Sequence, residues 1–123
     1  MRVNIEVWRT FAIVVLFALT GCDALHDSRD YERHSNSRIS KPLSGGDFFW
    51  FDVRLTPAMP LESEQAEQQR QVWLQTWLVQ RKLCPAGYEI LERRPFEFLE
   101  HNPERLDLRY KVRCLIEGEQ AEA

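Results

Sequence analysis

The sequence predicts an α+β domain: a three-stranded β-α-β-β sheet, with the last strand in the centre and one helix packed on one face. Three observations lead there. Phe48 to Leu55 is an aromatic and β-branched run, which suits a strand. The stretch from about Leu61 or Glu62 to Leu83 repeats apolar residues at helical spacing. Leu106 to Cys114 alternates apolar and charged residues without a break.

The first strand has two unlike faces. Phe49, Phe51, Val53 and Leu55 form a wholly apolar set and belong against a core. Phe48, Trp50, Asp52 and Arg54 form the other set. Thr56-Pro57-Ala58-Met59-Pro60 then breaks the strand.

In the helix, Glu62, Glu64 and Glu67 occupy the first turns, while Arg81 and Lys82 occupy the last, so both ends complement the helix dipole. Ala66, Trp73, Leu74, Trp77 and Leu78 make one apolar stripe, and Val72, Val79 and Leu83 a narrower second. Pro85 and Gly87 end the helix.

Tyr88 to Leu99 reads as one long strand interrupted at Pro95, which places it at an edge or at a bulge because proline cannot donate a ladder hydrogen bond. His101-Asn102-Pro103-Glu104 is a turn, with His101 exposed. In the last strand, Leu106, Leu108, Tyr110, Val112 and Cys114 point one way, and Asp107, Arg109, Lys111 and Arg113 the other. A helix between two strands favours a right-handed crossover, which makes the first two strands parallel. The final hairpin then inserts the third strand between them.

That arrangement brings Cys84 and Cys114 together at one end of the hairpin. With Cys22 set aside for the reason given next, an even pair in an exported small domain reads as a disulfide. Two free buried thiols are the alternative. A metal site is not expected, since there is no C-x-x-C pair and His26, His34 and His101 have no ligand-like spacing.

The first 22 residues read MRVNIEVWRTFAIVVLFALTGC. Arg2 and Arg9 give a basic start, Phe11 to Leu19 is apolar, and Leu19-Thr20-Gly21-Cys22 closes the segment. The apolar run is shorter than a bilayer span needs and has the form of an export signal. It resembles the lipobox of bacterial lipoproteins. The resemblance implies that residues 1–21 are a removed signal peptide and that Cys22 becomes an acylated N-terminus. Two or more acyl chains, palmitate among them, anchor stably, whereas one does so only marginally. Asp23 resembles the enteric-type signal for staying on the periplasmic side of the inner membrane; the outer membrane is the alternative. A retained membrane anchor ending in an incidental cysteine is the competing reading of the segment. Cys84-Pro85-Ala86-Gly87-Tyr88, after a helix and before a later cysteine, is similar to small uncharacterised lipoproteins of proteobacteria, which imply no reaction.

Residues 22–46 read as a flexible tether of mixed charge ending in Gly45-Gly46. Residues 47–117 form the domain and residues 118–123 a polar tail. About 100 residues remain after cleavage, enough for one small domain. The whole chain has net charge −3, and loss of the signal makes it one unit more negative. An acidic exported chain is a poor nucleic-acid binder.

No nucleophile–base pair, G-x-S-x-G, H-E-x-x-H or phosphate-cradling loop appears in the sequence. The glutamates of the early helix read as a solvated turn. We therefore expect no cofactor and no enzyme, but a non-enzymatic interaction or accessory subunit with an envelope protein partner. Phe48, Trp50, Arg54, Arg109, Lys111 and Arg113 share the sheet face away from the helix. Aromatics beside cations suit an anionic glycan, a lipid headgroup or an acidic protein. A cell-wall or surface-glycan binding module is the alternative function, and an ordinary wet sheet face is the bland one.

Overall fold

The computed structural model describes residues 28–121. The expected signal peptide, Cys22 and Asp23 lie outside the described residues. The chain divides into two compact units, residues 1–35 and 36–123. The described part of the first is helical, and the helix, here α1, covers residues 28–36. Within it Arg33 donates to Asp30 at 3.0 Å, one helical turn away.

The second unit holds β1 (Ser37–Ser40), β2 (Phe48–Val53), α2 (Glu64–Arg81), β3 (Tyr88–Pro95) and β4 (Leu108–Cys114). The strands form one antiparallel sheet in the order β1-β2-β4-β3. The class is α+β, but the expected three-stranded sheet is a four-stranded one with two inner strands, β2 and β4. The extra strand comes from the stretch expected to be a tether. Ser37 and Ile39 are buried, and Ser37 Oγ accepts the indole N–H of Trp77 at 2.9 Å. A tryptophan N–H buried under a sheet needs an acceptor, and this serine supplies it.

β2 and β4 alternate cleanly. Phe49, Phe51, Val53, Leu108, Tyr110 and Val112 are all nearly inaccessible and face α2. α2 starts where Ser63 Oγ accepts the Ala66 N–H at 3.2 Å, so Glu62 precedes the helix instead of sitting in its first turn. The helix ends at Arg81 because Lys82 turns left-handed (φ 54°) and its N–H returns to Leu78 and Val79 carbonyls. Ala66, Trp73, Leu74, Trp77 and Leu78 are buried as one stripe, but Val72 and Val79 stand in solvent. Arg70 is fully buried among them. Its guanidinium donates to the carbonyls of Met59, Pro60 and Leu61 and to Glu67, which fastens the Thr56–Ser63 connection to the helix.

β3 carries its irregularity between Ile90 and Glu92, not at Pro95, which closes the strand at the sheet edge. The long interrupted strand to Leu99 therefore stops early. Beyond Pro95 the chain curls into a turn, because Glu100 reaches back to the Glu97 N–H at 2.8 Å. Cys84 and Cys114 are joined, with sulfurs 1.95 Å and Cα atoms 4.8 Å apart. Cys114 pairs with Tyr88 in the ladder, so the bridge ties the residues after α2 to the end of β4. Gly87 allows the approach: its φ is +106°, and its carbonyl accepts the Leu115 N–H at 2.9 Å.

Candidate binding face

The face away from α2 is set by register. β1 contributes Arg38 and Ser40, β2 Phe48, Trp50 and Asp52, β4 Arg109, Lys111 and Arg113, and β3 Glu89 and Arg94. Opposite partners across the ladder are Arg38 with Asp52, Asp52 with Arg109, and Trp50 with Lys111. Directly opposed side chains of opposite charge or matching shape stabilise a sheet.

Asp52 is the hub of this face, and it is fully buried. Arg109 grips it through two parallel bonds, Nε to Oδ1 at 2.8 Å and Nη2 to Oδ2 at 2.9 Å. Arg38 adds a third donor at 3.4 Å. The remaining Arg109 donor, Nη1, goes to Glu100 Oε2 at 2.9 Å. The Arg109 guanidinium also lies 4.4 Å from the ring centres of both Trp50 and Phe96. Planar arginine is suited to this combination of fork and stacking. Burial opposes the charge on Arg109, but Asp52 and Glu100 outweigh it and raise its pKa.

Glu100 is a second hub. Arg94 holds both its oxygens, Arg109 one, and the Glu97 N–H one. The hydrogen bonds from Arg94 come first among the causes that push its pKa down to about 2, against the opposing effect of burial. By these bonds and the Phe96–Arg109 stack, the β3–β4 connection folds over the sheet face.

The expected face residues thus fare differently. Arg109 is on the face but covered and fully used. Trp50 is half-buried under Arg109 and against Phe48, whose ring centre is 5.0 Å away. Lys111 lies 4.3 Å from the Phe48 ring. Arg113 pairs with Glu89 and Glu119. Arg54 is drawn to the carbonyls of Glu104 and Arg105 at 3.1 and 3.4 Å, away from the aromatic cluster. A face read as an open row of cations is largely self-neutralised.

An open part remains beside it. A groove of about 500 Å³ is framed by Trp50 and Phe48, by Lys41 and Leu43 of the β1–β2 connection, and by His101 of the β3–β4 connection. Lys41 and His101 make no hydrogen bond or ion pair among the described residues, and Leu43 is 99% exposed. Such a groove accepts a flat or apolar body on its aromatic floor and an anionic group at Lys41. Sequence reasoning missed Arg38, Lys41 and Leu43 because they fell in the supposed tether, Phe96 because it fell in a supposed strand, and Glu100 because it fell between that strand and the supposed turn. Asp52 was on the correct face, opposite Arg109, and that pairing was the available signal.

Across the interior, Glu67 on α2 accepts the Tyr110 hydroxyl at 2.7 and 2.9 Å and is also met by Arg70 and Arg93. Burial first, and then Glu67, push the Tyr110 hydroxyl up to about 12. Burial works against ionisation of Glu67, but its hydrogen bonds from Tyr110, Arg70 and Gln71 prevail and lower its pKa. This cluster locks helix to sheet.

Among the described residues no group of three or more His, Cys, Asp or Glu side chains is placed to hold a metal ion, and no helix is long and apolar enough to cross a membrane. No protein family, curated protein or solved structure matches the chain.

Proposed function

We propose that the chain is a lipid-anchored lipoprotein of the bacterial cell envelope, held at the membrane through Cys22, and that its domain is a non-enzymatic interaction or accessory subunit. Periplasmic exposure agrees with the Cys84–Cys114 bond, since oxidising compartments preserve such bonds. The observation that carries the interaction reading is the groove beside Trp50. Its rim presents Leu43, Lys41 and His101 without internal partners, while every arginine around it is already engaged. A surface whose structural charges are satisfied and whose rim is left over is arranged to meet another molecule. The partner is an envelope protein that carries an acidic residue for Lys41.

Lys41→Glu and Leu43→Ala test this. Both residues are exposed, so the variants should keep the wild-type circular dichroism. Retention of the purified domain on isolated envelope fractions should fall at least about tenfold. Unchanged retention rules the groove out as the recognition surface.

A second reading, a cell-wall or surface-glycan module, is favoured by the aromatic floor. Protein-free cell-wall material should then retain the domain, and Lys41→Glu should release it. Failure to bind such material leaves the protein-partner reading alone.

A further inference from the structure

We propose that this chain associates head to tail with further copies of itself, the Phe98–Leu99 tip of one copy seating in the groove at the C-terminal end of α2 in the next. This surface is separate from the groove beside Trp50, and the proposal does not depend on the lipid anchor.

The tip is the first observation. Phe98 and Leu99 are 99% and 91% exposed. Two adjacent large apolar side chains so fully in water stand out against scattered surface leucines. They do not sit on a loose loop. The flanking residues are clamped: Glu100 by Arg94, Arg109 and the Glu97 N–H, and Phe96 by stacking on Arg109. A rigidly held apolar pair loses little conformational freedom on docking, the condition under which an anchor residue contributes most.

The receptor is the second observation. A groove of about 520 Å³ lies between the end of α2 and the start of β3. Leu78, Val79, Leu83, Pro85 and Tyr88 line it, and Lys82 stands at its rim. Val79 is 78% exposed and stands uncovered in the groove, above Leu78, which is buried, and beside Leu83 and Tyr88, which are partly buried against the core. Val79 belongs to the second, narrower stripe of the helix, and the sheet does not bury it.

Charge joins the two. The tip carries Glu97, exposed and beside Phe98, while Lys82 and the exposed Arg81 lie at the groove end of α2. Opposite charges at the rim and apolar groups at the centre match the anatomy of a protein interface.

Geometry prevents a molecule from filling its own groove. The groove adjoins Tyr88 at the start of β3, and the tip follows Pro95 at its end. Eight residues of strand separate them, roughly 20–25 Å. The contact therefore uses two different surfaces, one per copy. Such heterologous contacts propagate into rings or open chains instead of stopping at a two-fold dimer.

The decisive experiment uses two single variants of the full chain, Phe98→Asp and Val79→Asp, each also carrying Cys22→Ser so that no acyl chain contributes. Both positions are exposed, and circular dichroism should match the wild type. Sedimentation of the otherwise wild-type Cys22→Ser chain from micromolar to millimolar concentration should show association growing past the dimer. Each variant alone should remain monomeric. Mixed together, they should form a dimer that grows no further, because each supplies the half that the other lacks. Phe98→Ala, a milder change, should weaken association at least about tenfold. A Cys22→Ser chain that stays monomeric throughout overturns the proposal. So does association that survives Phe98→Asp, or a mixture of the two variants that fails to pair.

Discussion

Asp52 shows how a single residue changes the meaning of a surface. It sits on the sheet face away from α2, yet it is fully buried, paired with Arg109 and Arg38. A buried ion pair often gives little net stability over an apolar replacement, but removing one member strands the other. Asp52→Ala should therefore cost about 3–5 kcal/mol in urea unfolding. A loss below about 1 kcal/mol would mean that Arg109 finds water or another partner. Asp52 was legible as a face residue from alternation alone. Its burial was not, because the Arg109 that grips it is itself held by Glu100 and Phe96, which arrive from a turn.

Glu100 makes the same face pH-dependent. Its pKa is lowered to about 2 from the 4.5 of a free glutamate, chiefly by Arg94. A depressed carboxylate contributes stability that is fully present above its unfolded pKa and is lost as pH falls through the folded one. Stability should thus decline between about pH 4.5 and 2. Glu100→Gln should flatten that part of the acid limb relative to the wild type. Parallel acid limbs for the two proteins would remove Glu100 from the role assigned to it.

At the scale of elements, the strongest sequence patterns matched what formed. β4 alternates because one side meets α2 and the other meets charges, and that pattern needs no tertiary knowledge. β1 was hidden for a physical reason. Ser-Arg-Ile-Ser is short and polar, and only Ile39 and Ser37 beneath Trp77 make it a strand. The second stripe of α2 was visible as apolar spacing, but spacing cannot say that Val72 and Val79 stay in water. Two element-level changes test the local account. Ser63→Ala removes the side-chain cap of α2 and should cost about 1 kcal/mol. The double change Cys84→Ala with Cys114→Ala removes a bridge between residues 30 apart and should cost about 3–4 kcal/mol on chain-entropy grounds. Chemical unfolding measures both. A double variant as stable as the wild type would show that the hairpin and the α2 end hold without the staple.

For the whole molecule, the domain combines a sheet locked to α2 through Glu67 and Tyr110, an outer face neutralised by Asp52 and Glu100, and uncommitted apolar points at its ends. The lipobox-like LTGC segment supplies the proposed anchor from sequence, and the joined cysteines agree with an exported chain. The proposed head-to-tail contacts would gain from the proposed anchor, because molecules confined to one surface meet at raised local concentration. Intact-mass analysis of the protein extracted from membranes, before and after reduction, bears most directly on the lipoprotein reading. It should find residues 1–21 absent, acyl chains on Cys22, and a mass shift on reduction equal to one disulfide. A chain that retains Met1 with an unmodified Cys22 would contradict the lipoprotein assignment.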